Sequence, residues 1–394
     1  MSVLANKSAG CLRIVQLIYQ DPGYHPPVHF SCQLLAELGH VVQLLARTPE
    51  AGMGVPGGYD LGPGSTLIAV GQGRAGLGDK IDYLRYVLAI RRALKNADLV
   101  IAYNFLAAGA LALADPFGRV PVVYHNLDLI ELDELHGASK FLKSKELAIA
   151  RRAFFVMTSS PARTERFALA AGLSTLPSTV MNCQRAIALP PSTGELRKIL
   201  AERGLRWNKI VARLGLMAPN NAIENTIRAS KLWPPSCGLV LAGIPAPGFL
   251  EQIAALIISE GVQDRVLVLS AVPYPLWYDI LQSADIGSAL YEPHDFGNQS
   301  MAGAGNKLNL YLRAALPCLV PDIGDFRAFA AIYPVGPLVD SANVQAIADA
   351  VTAMLARDLS PERAAAADAV KRAFSFEHQY QPALNAIAAY FQRA

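Results

Sequence analysis

Short runs of β-branched or leucine-rich residues alternate with amphipathic stretches almost from one end of the chain to the other. This is the pattern of parallel sheets covered by helices. In the first half the apolar runs predict strands at 12–18, 41–47, 66–70, 98–103, 120–124 and 154–158, with helices between them. Residues 29–38 keep the helical period, with Leu34, Leu35 and Leu38 on one side and Gly39 as the stop. A second series follows, with strands expected at 209–213, 238–243, 265–269, 285–290 and 317–321, and the chain from Asn343 onward is helical in pattern. Between the two series, at 182–192, the pattern breaks, and Pro190 and Pro191 precede a new helix for which Ser192 or Thr193 is the candidate cap. The fold class expected is α/β, with two Rossmann-like, doubly wound domains in tandem, 1–185 and 186–374. The Gly/Pro-rich stretch 48–64 is expected to be a long surface loop without chemistry of its own.

A length of 394 residues suits two such cores. Hydrophobic residues make up 52% and charged ones 17%, and the mean hydropathy is +0.27, so apolar surface is expected to be left over after folding. The most apolar stretch, 99–114, is interrupted by Tyr103 and Asn104 and is read as a strand followed by a helix, not as a membrane span. Lys7 and Arg13 flank the apolar run 12–18, which lacks a small-residue cleavage site and reads as the first buried strand; secretion is not expected. Cys11, Cys32, Cys183, Cys237 and Cys318 are odd in number and scattered, which offers neither a zinc frame nor a disulfide framework and fits a reducing cytoplasm. Residues 1–185 hold 18 Lys+Arg against 14 Asp+Glu, leaving 17 against 18 for the remainder. That imbalance is too weak to argue for nucleic acid, but it is compatible with peripheral contact between the first domain and an anionic membrane surface.

Four places offer chemistry. Gly71-Gln72-Gly73-Arg74-Ala75-Gly76 matches the dinucleotide fingerprint in letters, but it follows the wrong strand and no acidic residue stands about 20 positions on; a loop is the better reading. The segment 299–307 opens a helix expected to run through Arg313, where small residues admit an anion to backbone N–H groups and Lys307 adds a full charge. It is not a P-loop, since no Ser or Thr follows Lys307, and a Gly-rich loop with an exposed lysine is the plainer alternative. Tyr124-His125-Asn126-Leu127-Asp128 stands at the end of the fifth strand, where open α/β sheets bind ligands, and either His125 or Asp128 could take a proton from a hydroxyl. Alternatively, Asp128 caps a helix at 130–135 and His125 is a satisfied polar residue near the surface. His25 lies in the first βα loop with His29 at the start of the following helix, and Pro26 and Pro27 between them argue against one helical face and against zinc. Arg85, Arg91, Arg92 and Lys95, with Lys140, Lys143, Lys145, Arg151 and Arg152, sit on two expected helices, as solvated faces or as a membrane-contact patch.

The series Leu214-Gly215-Leu216-Met217, 239–243, 283–287, Asn306-Lys307-Leu308 and 315–320 resembles the donor domain of group-one, family 4-like glycosyltransferases, and the first half, with Leu38-Gly39-His40-Val41 and Val122-Val123-Tyr124, agrees with it. A closer resemblance is to the xanthan glucuronosyltransferase, a membrane-associated, inverting enzyme of the GT-B architecture that uses UDP-glucuronate. The resemblance implies two domains facing a cleft, the acceptor held on the first, and a final helix, 377–391, returning to it, so that 375–394 joins 1–185. It implies a hexosyl- or glucuronosyltransferase taking a nucleotide sugar, UDP-linked, to a lipid-linked or polysaccharide acceptor at the inner face of the cytoplasmic membrane. Asp128 then falls on the catalytic aspartate, and Met217, Tyr291 and Lys307, with Gly305 and Asn306, fall on the donor site. His25, His29, Tyr103 and Asn104 are assigned to the acceptor side. Departures accompany the matches: the usual diphosphate-gripping Arg and Lys are replaced by Leu216 and Asn221, and the paired glutamates by Ala302 and Leu310. No metal or other cofactor is expected, because Lys307 and the helix start are assigned the leaving diphosphate. A retaining group-one transferase, an epimerase of nucleotide sugars and a non-catalytic binding protein are the competing readings.

Overall fold

The computed structural model describes residues 10–48, 60–71, 76–270 and 272–393. Most of the Gly/Pro-rich stretch 48–64 and the centre of the Gly71–Gly76 fingerprint lie outside them. The chain divides into two units: one ends at Arg185 and resumes at Phe376, and the other is Ala186–Ser375.

The first unit is built on seven strands, β1 (Arg13–Ile18), β2 (Val41–Arg47), β3 (Thr66–Val70), β4 (Leu99–Tyr103), β5 (Val122–Asn126), β6 (Phe155–Thr158) and β7 (Ser178–Thr179). They form one parallel sheet in the order β3-β2-β1-β4-β5-β6-β7. Strands buried on both faces need apolar residues at every position, and β4 meets this with five consecutive buried residues. Helix α1 (Pro26–Glu37) and the terminal helix Phe376–Arg393 cover one face, where Ile14, Ile18, Cys32, Leu35, Ile101 and Met157 pack with Phe376, Tyr380 and Ile387. Helices α2 (Leu77–Ala93), α3 (Asn104–Ala114), α4 (Gly137–Arg152) and α5 (Pro161–Ala171) cover the other, against Val15, Leu17, Val100 and Tyr124. Arg185 fastens the terminal helix: it gives two hydrogen bonds to the Glu37 carboxylate, at 2.9 and 2.7 Å, and one to Glu377 at 2.8 Å. Such bidentate, charge-assisted pairs are the strong ones. The expected return of the last helix to the first unit is therefore found.

The second unit has six parallel strands, β8 (Lys209–Leu214), β9 (Cys237–Gly243), β10 (Val266–Ser270), β11 (Ile286–Ser288), β12 (Cys318–Pro321) and β13 (Leu338–Val339), in the order β10-β9-β8-β11-β12-β13. In both sheets the strand order reverses direction beside the first strand of the unit, between β1 and β4 and between β8 and β11. The crevice outside the carboxyl ends of the strands at such a reversal is where open α/β sheets bind ligands.

Five sequence expectations are corrected. First, β7 and β13, two residues each, fall below the length at which alternation can be read. Second, β5 runs two residues past its expected end, so Tyr124, His125 and Asn126 are inside the sheet and fully buried, and only Leu127 and Asp128 lead out of it. Third, no helix forms at 130–135, which removes helix capping as the role of Asp128; the next helix starts at Gly137. Fourth, α1 begins at Pro26, three residues before the expected start at His29, because the first turn of a helix has no use for the prolines' missing N–H groups. His25 is thereby the N-cap residue and His29 lies one turn further on the same helix. At the start of the second unit neither Ser192 nor Thr193 is the cap: Gly194 takes that position, and the Asp279 carboxylate accepts from the backbone N–H groups of Thr193, Gly194 and Leu196 at 2.7–2.9 Å.

Candidate active site

At the reversal point of the first sheet, β4 ends in Tyr103 and the chain turns directly into α3 at Asn104. Asn104 has φ 56°, the left-handed region that asparagine tolerates better than most residues. The turn aims its amide across the end of β5. Its side-chain oxygen accepts from the backbone N–H groups of Leu127 at 2.9 Å and Asp128 at 3.0 Å, and its nitrogen donates to the Asp128 carboxylate at 3.1 Å and to Gln20 at 3.1 Å. All four hydrogen-bonding positions of the amide are used. Asp128 is thus held by its backbone and its side chain, with 49% of that side chain still open to solvent. It faces a recess also lined by Tyr19, Gln20, Phe105 and Ile130.

Of the residues assigned to the acceptor side, His25 and Asn104 meet Asp128 directly. His25 Nδ1 lies 3.8 Å from an Asp128 carboxylate oxygen. Burial pushes the His25 pKa down, against the pull of Asp128 and Asp21, so the ring is neutral near pH 7. His29 is set back, its Nε2 against the Pro22 carbonyl, and burial lowers its pKa as well. Tyr103 is enclosed, and its hydroxyl meets Ser31 at 2.6 Å and Gln16 at 3.0 Å within the core. His125 is also enclosed, its ring centre 5.6 Å from that of Tyr103, and burial pulls its pKa down to about 3, with an interaction with the Val180 backbone working the other way. The structure therefore separates the two candidate bases: Asp128 reaches solvent and His125 does not.

A buried polar network lies beneath. Asn126 donates to the Tyr124 hydroxyl at 3.2 Å, to Glu146 at 3.2 Å and to the Asp128 carbonyl at 3.4 Å. The Tyr124 hydroxyl donates to Glu146, which also pairs with Lys143. Burial raises the Glu146 pKa, and Lys143 opposes this. Lys143 is therefore an interior residue, which thins the basic patch expected on this helix; Arg152 is likewise tied to the Asp115 carbonyl at 2.8 Å.

At the reversal point of the second sheet stand Arg213, near the end of β8, and Tyr291, just past β11. The Tyr291 ring has two cations against it: the Arg213 guanidinium carbon 5.5 Å from its centre and the Lys307 ammonium at 4.7 Å. Arg213 is fully buried. It donates to the Ser288 carbonyl at 3.0 Å, while its ε nitrogen and second η nitrogen meet no acceptor among the described residues. Lys307 retains some exposure, yet burial first and Arg213 second push its pKa well below the ordinary lysine value. No carboxylate among the described residues pairs with either cation. Lys307 is in the first turn of the helix Asn306–Arg313, whose N-cap, Gly305, supplies no side chain to its free N–H groups. A Cβ on Gly305 would stand 3.0 Å from the Met301 carbonyl and 3.1 Å from the Tyr291 hydroxyl oxygen, so only glycine fits without displacing them. The side-chain oxygen of Asn306 is buried and meets no partner among the described residues. Met217 is a core residue whose backbone bonds Ile244 at 2.8 Å and Ala246 at 2.7 Å, fixing the turn after β8. Unopposed positive charge at uncapped N–H groups is the arrangement that takes an anion.

Arg213 was not among the residues that the sequence pattern singled out, although a signal existed: it is the one charged residue between Ile210 and Leu214, inside a run otherwise apolar. Asn104, by contrast, was singled out, but its left-handed turn has no local signature. Among the described residues no cluster of three or more potential metal ligands occurs.

Comparison with known proteins agrees with this geometry. Residues 24–178 match the Glycosyl transferase 4-like domain. No curated protein matches the sequence significantly. HepE of Anabaena, solved with UDP and glucose, shares 16% identity over 96% of this chain and 100% of that one, with a TM-score of 0.72. Sucrose-phosphate synthase of Thermosynechococcus elongatus shares 15% over 97% and 100%, at 0.71. WaaG, a glycosyltransferase involved in lipopolysaccharide biosynthesis, shares 16% over 94% and 98%, at 0.61. Likeness at this level establishes the fold, two parallel-sheet Rossmann-like units of the GT-B class.

Proposed function

We propose that the protein is a glycosyltransferase that moves a sugar from a UDP-sugar to a hydroxyl of a glycan or glycolipid acceptor, with inversion at the anomeric carbon and without a metal ion. The observation that carries this reading is that each unit places complementary chemistry at its own strand reversal: an oriented, half-exposed carboxylate in the first and two unopposed cations beside an uncapped helix in the second. A nucleotide diphosphate needs the second; deprotonation of an attacking hydroxyl needs the first. The match of residues 24–178 to a glycosyltransferase domain, and the UDP and glucose bound to HepE, support the same choice.

In this reading Asp128 takes the proton from the acceptor hydroxyl as its oxygen bonds to the anomeric carbon, and the bond from that carbon to the diphosphate oxygen breaks. Asn104 fixes the carboxylate, and neutral His25 lies beside it without a competing charge. Lys307, the N–H groups after Gly305 and, through Tyr291, Arg213 stabilise the charge that develops on the leaving diphosphate. His125, enclosed under Tyr103, is a supporting residue, which favours this mechanism over one that needs His125 in contact with the sugar. The acceptor is lipid-linked or a polysaccharide intermediate at the inner face of the cytoplasmic membrane, and the sugar is a hexose or hexuronic acid.

The test is transfer and donor hydrolysis measured with a panel of nucleotide sugars and the anomeric configuration of the product read by NMR. Turnover of a UDP-sugar with inversion is expected. A retained configuration, binding without turnover, or interconversion of the donor alone would each replace this reading with one of its competitors.

A further inference from the structure

Helix α2 turns its apolar residues the wrong way for a helix that only packs on a sheet. At about 100° per residue, Leu77, Ile81, Leu84 and Leu88 fall within about 60° of one another. They are 73%, 46%, 61% and 53% exposed. The opposite side of the helix, Asp82, Tyr86 and Ile90, is the one that is buried. Lys80 and Arg91 run along one flank of the exposed stripe and Arg85 and Arg92 along the other, all four exposed, with Lys95 just beyond the helix end. Neither acidic residue of the helix joins that face: Asp82 is buried and pairs with Arg85 at 3.2 Å, and Asp79 lies 3.7 Å from Arg47 and accepts from the Tyr19 hydroxyl. The solvent side of α2 thus offers an apolar stripe framed by cations on both sides.

We propose that α2 is an interfacial helix that lies on the surface of a bilayer containing anionic lipid, and that the docked protein offers its Asp128 recess to an acceptor carried in that bilayer. Leucines in the acyl boundary with lysines and arginines at headgroup level is the arrangement that anionic membranes hold. Charge selects lipid over a second copy of this chain, since two such stripes face to face would set cation rows against cation rows. The link to the recess is made by hydrogen bonds. Tyr19, which lines the recess, donates to the Asp79 carbonyl at 3.3 Å, and Tyr83 donates to the carbonyl of Leu106, another lining residue, at 2.8 Å. The first two turns of α2 are therefore fastened to residues of the recess wall. The docking surface stands independently of the function proposed above; the clause about the acceptor rests on it.

Co-sedimentation of the full chain with vesicles of phosphatidylcholine alone, or mixed with phosphatidylglycerol, tests the surface. The protein is expected on the anionic vesicles and to come off as salt screens the headgroups. Leu84→Ser with Leu88→Ser, and separately Lys80→Glu with Arg91→Glu, should each weaken retention roughly tenfold or more. All four positions are exposed, so far-UV circular dichroism and UDP titration should be unchanged and exclude misfolding as the cause. Equal binding to neutral vesicles, retention unaffected by both variants, or a lipid-free dimer that the leucine changes dissociate in the ultracentrifuge would overturn the proposal. Vesicle binding without any sugar transfer would leave the docking surface standing and overturn the acceptor clause alone.

Discussion

Asn104 is the single residue on which the Asp128 geometry depends most, and its removal has a calculable cost. Asn104→Ala deletes four hydrogen bonds, three to neutral groups and one to a carboxylate, and places alanine at φ 56°. Net contributions of about 0.5–1.5 kcal/mol for each neutral bond and about 1.5–3 for the charged one set the upper limit. Water can replace part of this on the half-exposed Asp128 side, whereas the Leu127 N–H is buried, so a loss of about 2–4 kcal/mol is expected. For a unit of this size that lowers Tm by roughly 4–16 °C in a calorimetric melt. Asn104→Gly loses the same bonds but takes the left-handed turn without penalty, and should be milder by about 1 kcal/mol. In both variants transfer should fall, because Asp128 is no longer oriented, while UDP affinity should stay within about twofold, since the cation site is on the other unit. A Tm drop under about 2 °C in both variants, or glycine as damaging as alanine, would refute the argument that this turn is strained and that the amide holds the carboxylate.

Asp128→Asn should lower the transfer rate by roughly 10² to 10⁴ in steady-state kinetics with UDP affinity nearly intact; a mild effect, with His125→Ala the crippling change, would move the base elsewhere. Lys307→Ala should cost about 1.5–3 kcal/mol of UDP binding by titration calorimetry. Because burial and Arg213 depress the Lys307 pKa, the free protein holds it neutral above that lowered value. A diphosphate favours the ammonium, so UDP binding should take up a proton and weaken as pH rises, and Lys307→Arg should flatten the dependence. In the ligand-free protein the same shift makes stability rise with pH between the lowered value and the ordinary one near 10.5, where the unfolded chain binds the extra proton; pH-independent affinity and stability would contradict both. Lys143→Met should cost about 3–5 kcal/mol in denaturant unfolding by leaving Glu146 unpaired in the interior, and Lys143→Met with Glu146→Leu should recover most of it. A double variant no better than the single one would mean that the pair matters for shape, not charge.

Most of the fold was legible in the sequence because it is written locally. Eleven strands were expected and all eleven exist, and the central ones are buried on both faces and need a continuous apolar run that cannot be hidden. Boundaries slipped where a polar residue continues a strand: His125 and Asn126 read as a loop, yet β6 pairs with both and keeps them in the sheet. The start of α1 slipped for the opposite reason, since a residue type that breaks helices in the interior starts them at the first turn, and Pro26 and Pro27 belong to the helix. In the candidate site, Asp128 and Lys307 were visible as a carboxylate after a strand and a lysine after small residues. Arg213 was passed over because a charge within a strand reads as an error in the strand until its neighbours are known.

By itself the sequence determined the class, the two series of strands, the break near Arg185 and the residue types able to do acid–base and anion chemistry, all of which follow from composition and spacing within a few residues of one another. The tertiary structure decided what those residues face. Asn104 meets Asp128 across 24 positions, the Tyr291 ring gathers Arg213 and Lys307 from two other elements, and Arg185 reaches Glu377 across 192. The stripe on α2 has the spacing of any core-facing helix, and only the packing of Tyr86 and Ile90 against the sheet shows that its leucines point outward. The physical reason is common to all of them. Periodicity reports how a segment can fold on itself, whereas burial, orientation and pKa are set by partners that the chain brings together only when the sheets close.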